Sequence, residues 1–135
     1  MAYIDRPRKP TPILEVTTYG DEDNIIHRDG KNGSFVIPVG EDTWIFPWKA
    51  TSVYTGFEIR IPDGTMALIT GCPWVLEDKI HVHPQLLPDG SYIYPIVNKM
   101  GLLPRKLRKG EHIALLTLVS TTECELVQYH EDSLD

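Results

Sequence analysis

His81-Val82-His83 sets two imidazoles one residue apart. In an extended segment, side chains two positions apart share a face, so both rings would point the same way, as a pair of metal ligands must. A third ligand would have to come from elsewhere in the fold, with His112 and Glu111 the candidates. A polar strand face is the simpler expectation, and no metal is assigned. Glu58 and Arg60 share that spacing and put a carboxylate beside a guanidinium. Such a pair is a possible nucleotide-handling set, though a simple surface ion pair is the commoner outcome. Arg105-Lys106-Leu107-Arg108-Lys109 carries four positive charges in five residues, and with Arg6, Arg8 and Lys9 it offers a surface to an anionic partner. The plainer expectation for it is a solvated loop ahead of a buried strand. Trp44, Trp48 and Trp74 are expected in the core by default. Trp48, flanked by Pro47 and Lys49, is the one suited to anchor a partner protein. Cys72 and Cys124 lie far apart, form no metal-type pair, and are expected as two free buried thiols.

The chain that must position these residues has 135 of them, 41% hydrophobic, with a formal net charge of −6. One domain of that size buries roughly two thirds of the surface its unfolded chain exposes, so no disulfide or metal staple is required. The acidic balance repels phosphate backbones, which argues against sequence-specific nucleic-acid binding. No apolar stretch approaches the roughly 20 residues that span a bilayer. The N-terminal residues show no apolar run after their charges, so a secretory signal is not expected. Location inside a virion or in a host cytoplasm fits best.

Eleven prolines and ten glycines chop the chain into short apolar segments. Proline removes a ladder donor and both residues interrupt helices, so the pattern predicts strands joined by turns. Residues 1–12 hold three cations and three prolines and are expected as an extended arm. Residues 13–120 make the β domain, and residues 121–135 an acidic tail. Strands are predicted at Ile13–Thr18, Ser34–Val39, Thr43–Phe46, Thr51–Ile61, Thr65–Thr70, Lys79–His83, Ser91–Asn98 and Ile113–Val119. Residues 20–33 are predicted as loop. Pro62-Asp63-Gly64 and Pro88-Asp89-Gly90 are turns. Pro73–Asp78 is the one short helical candidate. Many short strands at regular spacing make an all-β sandwich or barrel.

Three stretches between Gly33 and Val119 resemble, in order and spacing, the trimeric dUTPases. Thr55-Gly56-Phe57-Glu58-Ile59-Arg60-Ile61-Pro62-Asp63-Gly64 is similar to that family's threonine-glycine strand and isoleucine-proline-x-glycine hairpin. Lys79-Ile80-His81-Val82, then Pro88-Asp89-Gly90, then a strand ending at Asn98, resembles its central β-hairpin. Leu107-Arg108-Lys109-Gly110-Glu111-His112-Ile113-Ala114-Leu115-Leu116 resembles its closing strand. The resemblance implies a distorted jelly roll or β-barrel, assembled as a homotrimer with active sites between subunits.

The same alignment replaces the family's functional residues. Val36 stands where the first motif has an aspartate. Gly71-Cys72-Pro73-Trp74 stands where the second has proline-arginine-serine-glycine. His81 falls at the water-activating aspartate, and the hairpin Leu86–Ser91 lacks the stacking tyrosine. Leu115 replaces the glutamine of the fourth motif, and the tail from Thr121 to His130 has no glycine. Losing one positioned electrostatic group typically costs on the order of 10²–10³ in rate. These changes lead to the expectation of no catalytic residue, no cofactor and no enzyme. What remains is a structural or interaction protein on a dUTPase-like scaffold, most concretely a viral or phage capsid decoration. Its partners would be its own copies and a capsid protein, met through Arg6, Arg8, Lys9, Trp48, Arg105, Lys106, Arg108 and Lys109. The alternative is a nucleotide-binding or nucleotide-hydrolysing relative of dUTPase or dCTP deaminase with a relocated site, for which Glu58 and Arg60 are the candidate set.

Overall fold

A computed structural model describes residues 11–29 and 33–131. Arg6, Arg8 and Lys9, with nearly all of the expected arm, lie outside the described residues.

The described chain is almost entirely β. Its strands are β1 (Glu15–Thr18), β2 (His27–Asp29), β3 (Ser34–Pro38), β4 (Thr43–Ile45), β5 (Ala50–Ser52), β6 (Phe57–Arg60), β7 (Thr65–Gly71), β8 (Ile80–Val82), β9 (Gln85–Leu87), β10 (Ile96–Lys99), β11 (Arg105–Leu107) and β12 (His112–Ser120). A 3-10 turn at Pro73–Leu76 is the helical element among the described residues. No helix there is long and apolar enough to cross a membrane.

All pairings are antiparallel. The largest sheet runs β2-β3-β12-β7-β9, a three-stranded sheet runs β5-β10-β8, and two pairs, β1-β6 and β4-β11, complete the fold. β12 is the spine, pairing with β3 on one side and β7 on the other. Its Ile113, Ala114 and Leu116 are buried, while Leu115 and Leu118 pack against the core only in part. The core is built where the alternation is cleanest. Phe57 and Ile59 of β6, Ala67 and Ile69 of β7, and Ile80 and Val82 of β8 point inward, leaving Arg60 and His81 outside. Each of these side chains other than that of Ala67 contributes roughly 1.5–3 kcal/mol by leaving water.

The two predicted turns form and are tied together. Thr65 closes the first by donating from Oγ1 to the Pro62 carbonyl at 2.6 Å. Asp89 of the second accepts the Ile61 N–H at 2.8 Å.

Six expectations are corrected. Residues 20–33 are not loop throughout, because His27–Asp29 pairs with β3 as β2, and of Ser91–Asn98 only the part from Ile96 joins a strand, β10. The stretch Thr51–Ile61 is two strands, because the chain turns a corner at Val53–Gly56. There the buried Thr55 donates from Oγ1 to the Ile93 carbonyl at 2.6 Å, and the Gly40 N–H donates to the Tyr54 carbonyl at 2.8 Å. The run Arg105–Lys109 is not a loop throughout: Arg105–Leu107 is β11, with Lys106 opposite Trp44 and Leu107 buried. Trp44, Trp48 and Trp74 are not core residues, being 54%, 74% and 42% exposed. Cys72 is buried, but Cys124 is exposed, and both are free.

Candidate functional site

The replaced motif positions come together. Across the main sheet, His27 of β2 faces Val36 of β3, Val36 faces Leu115 of β12, and Leu115 faces Thr70 of β7. Directly opposed residues of antiparallel strands share a face. The first and fourth motif positions are therefore neighbours in one row, and the second motif follows directly from β7. An aspartate and a glutamine there could act on one ligand; Val36 is instead buried in the core, with Leu115 packed partly against it.

Beside this row lies an open cleft of about 350 Å³ whose lining includes Trp74, Asp78, Arg105, Glu111 and His112. The indole of Trp74 and the imidazole of His27 flank the His112 ring, with centroids 6.2 and 5.8 Å away. Arg105 is held by Glu111 at 2.9 Å and Asp78 at 3.4 Å. A guanidinium neutralised by two carboxylates is a poor ligand for phosphate.

The rest of the basic run is likewise matched by acids. Lys106 lies 3.5 Å from Asp42. The Lys109 ammonium pairs with Asp21, and its backbone N–H donates to Asp42 at 2.8 Å. The Arg108 backbone N–H donates to Glu111 at 3.0 Å. The Lys109 ammonium, aided by the Asp23 N–H, holds the Asp21 carboxyl below its ordinary value. The Lys109 N–H, with Lys106 nearby, does the same for Asp42.

His81 and His83 do stand side by side, ring centroids 5.3 Å apart, but His83 shares a 2.7 Å hydrogen bond with Asn98. His112 lies with His27 and Trp74 instead of joining them. Among the described residues no group of three His, Cys, Asp or Glu side chains is placed to hold a metal ion. Glu58 and Arg60 approach to 3.9 Å, and Arg60 also lies 3.8 Å from Asp89. Glu58 further accepts a hydrogen bond from the Tyr19 hydroxyl at 2.8 Å. The set is an ion-pair chain along β6 and does not line the Trp74 cleft.

Trp48 occupies a different position. It stacks on Phe46, centroids 5.3 Å apart, with the Lys49 ammonium 5.8 Å from the Phe46 ring centre. The β4–β11 ladder pairs Ile45 with Arg105, and the β5–β10 ladder pairs Ala50 with Asn98. The turn 46–49 and the loop 100–104 therefore leave the same end of both ladders. That loop carries Met100, Leu102 and Leu103, exposed by 42%, 93% and 74%. Sequence reasoning found Trp48 and missed the loop, whose signal was three apolar residues around Gly101 with no partner strand.

No family model matches the sequence, and no curated protein matches it. Solved structures do. A mutant dUTPase of Staphylococcus bacteriophage 80alpha superposes with a TM-score of 0.76 at 19% identity, covering 92% of this chain and 100% of that one. The same phage's dUTPase with dUPNHPP matches equally well, covering 92% of each chain. A mutant dUTPase from phage phi11 of S. aureus, described for its coordination of a structural Mg(II) ion, gives 0.76 at 15% identity, covering 90% of this chain and 99% of that one. The chain is thus an all-β protein of the dUTPase-like fold, as the three sequence anchors imply.

The same finding corrects the expectation that the chain is not an enzyme. Its scaffold is that of enzymes solved with a nucleotide analogue in place. The changed motif positions describe a different cleft surface and do not take the chain out of an enzyme fold.

Proposed function

We propose that this protein self-associates as a dUTPase-fold trimer and works through protein–protein contact in a viral or phage setting, with seating on a capsid as the specific role. One observation carries the reading: the turn with Trp48 and the loop with Met100, Leu102 and Leu103 leave the same end of two ladders, with these side chains exposed in the single chain. A grouped apolar surface of this kind, with an aromatic anchor and a nearby cation, has the composition of a binding surface. The phage origin of the structural neighbours supports the setting. The 80alpha dUTPases are described as controlling transfer of virulence genes by a proto-oncogenic G protein-like mechanism, so the fold carries a regulatory role in those proteins.

The test is a solution mass by light scattering, followed by capture from the native source with the wild-type chain and with Trp48→Ser. A trimer that retains a partner only with Trp48 intact supports the reading; a monomer, or capture indifferent to Trp48, sinks it. A dUTP assay with magnesium on the same sample reads separately what the Trp74 cleft does.

A further inference from the structure

Sharing no residue with the Trp74 cleft, four tyrosines wall a narrow slot of about 110 Å³. Ser91-Tyr92-Ile93-Tyr94 alternates, with Ile93 buried, which puts Tyr92 and Tyr94 on the outer side together. Tyr92 sits against Tyr19, ring centroids 5.9 Å apart, and Tyr94 against Tyr54 at 6.4 Å. Gly56 lies at the base, where an added Cβ would come within 3.1 Å of the Tyr54 hydroxyl. Tyr19 donates to Glu58, whereas the hydroxyls of Tyr54 and Tyr94 have no hydrogen-bond partner among the described residues.

Flat rings set as two walls, with unengaged hydroxyls between them, suit one backbone form in particular. A polyproline II segment makes no internal hydrogen bonds, so its carbonyls are free to accept, and its proline rings stack on aromatic faces with little ordering entropy left to lose. The border of the slot carries one carboxylate: Glu58 is the β-bridge partner of Tyr92 and accepts from the Tyr19 hydroxyl, while Arg60, 3.9 Å from Glu58 and 3.8 Å from Asp89, lies farther along β6. A cationic, proline-rich segment is therefore the matching ligand.

This chain has such a segment in Arg6-Pro7-Arg8-Lys9-Pro10-Thr11-Pro12. β1 pairs Glu15 with Arg60 and Thr18 with Phe57, so the chain enters β1 at the end away from the slot, about 10 Å short of it along the strand. A chain's own arm would have to double back; a neighbour's arm can enter directly. At about 3.1 Å per residue, the six residues from Pro7 to Pro12 span roughly 19 Å, more than the slot needs. We propose that the Tyr19/Tyr54/Tyr92/Tyr94 slot receives the Arg6–Pro12 segment of a second copy of this chain. The inference rests on the self-association proposed above and adds the contact that links the subunits.

The test uses the full chain carrying Pro7→Ser, Pro10→Ser and Pro12→Ser, whose own arm is disabled, and a fluorescent peptide of residues 2–13. Saturable binding in the micromolar range is expected. It should weaken at least ~10-fold when Tyr94→Ala is added and remain unchanged when the tail variant Tyr129→Ala is added. Tyr94→Phe, which keeps the ring and the packing, should give a smaller loss, so that a folding defect is told apart from a lost contact. The unsubstituted chain should take up the peptide more weakly, its slots being filled by neighbours. Absence of binding, equal binding to Tyr94→Ala, or equal binding of a peptide with Arg6, Arg8 and Lys9 replaced by serine overturns the proposal. Mixing an arm-disabled chain with a slot-disabled one reads the direction: association that appears only on mixing places the arm in a second copy, and none places it in its own chain and overturns the exchange. A trimer whose mass and peptide uptake ignore every arm and slot variant leaves self-association standing and removes this inference alone.

Discussion

Tyr19 holds its hydroxyl 2.8 Å from the Glu58 carboxylate, and that contact can be read by titration. The hydrogen bond to Glu58, with partial burial, raises the Tyr19 phenol from its ordinary value to about 12. A folded value above the unfolded one favours the folded state below the ordinary tyrosine range, and that preference is lost as pH rises through about 12. Ultraviolet difference titration should show one of the six tyrosines ionising late, and Tyr19→Phe should remove that step. Phe57, 1% exposed at the start of β6, makes the plainest stability prediction. Phe57→Ala should lower unfolding free energy by about 3–5 kcal/mol in urea, because it removes a nearly fully buried ring from the core. Both residues bear on what could be read in advance. Phe57, Ile59 and the outward Arg60 follow from period-two alternation alone. Tyr19 meeting Glu58 does not, since that contact exists only once β1 lies beside β6. The exposure of the tryptophans was hidden for a related reason: a large ring is placed inside by its transfer energy, and only the fold shows that Trp44, Trp48 and Trp74 sit on rims.

Elements make their own predictions, and two glycines separate their causes. Gly64 has φ +75° in an open turn, so Gly64→Ala strains only the backbone and should cost about 1 kcal/mol. Gly40 sits after β3 against the corner that splits β5 from β6, where an added Cβ would lie 2.6 Å from the Thr55 carbonyl oxygen. Backbone cannot yield as a side chain can, and Thr55 is fixed by its bond to Ile93. Gly40→Ala should therefore cost about 3 kcal/mol, at the upper end for overpacking. Equal midpoints for the two variants in denaturant would contradict this account of the corner. The same corner explains why Thr51–Ile61 looked like one strand: nothing local in its sequence reports a hydrogen bond from Gly40. β11 was hidden by its charge, because Arg105 and Lys106 read as solvated until Asp78, Glu111 and Asp42 are brought alongside. The neighbouring Asp21–Lys109 pair gives a pH prediction with a definite sign. The Asp21 carboxyl is held low, so its pairing with Lys109 stabilises the fold above the ordinary carboxylate range and is lost as pH falls through the lowered folded value. Wild type should exceed Lys109→Met in urea midpoint at neutral pH, and the gap should close on acidification.

At the scale of the whole molecule, the dUTPase-like fold is kept while the residues at the family's motif positions differ. The fold was legible because its anchors are structural: a glycine at a corner, proline-aspartate-glycine turns and a long apolar spine in β12. What occupies the old motif row was legible too, as Val36 and Leu115, but its consequence was overdrawn, because residue replacement describes a surface whereas an enzyme's scaffold persists around it. What the sequence concealed is the outer surface. Trp48, Leu102 and Leu103 gather only when two ladders end together, and the tyrosine slot forms only when β1 passes Tyr92. Exposed side chains of this size are unfavourable in an isolated chain, so assembly should add to stability. If three folded chains unfold to three separate ones, each tenfold rise in concentration stabilises a protomer by two thirds of the tenfold free energy, about 0.9 kcal/mol. For a domain of this size that raises the melting temperature by about 3–4 °C per decade. Calorimetry across two decades of concentration should show this slope for the wild type. Leu102→Ser tests which surface assembles the trimer. If the Trp48 end joins subunits, the slope should fall towards zero; if it faces an outside partner, the slope should persist while capture of that partner is lost.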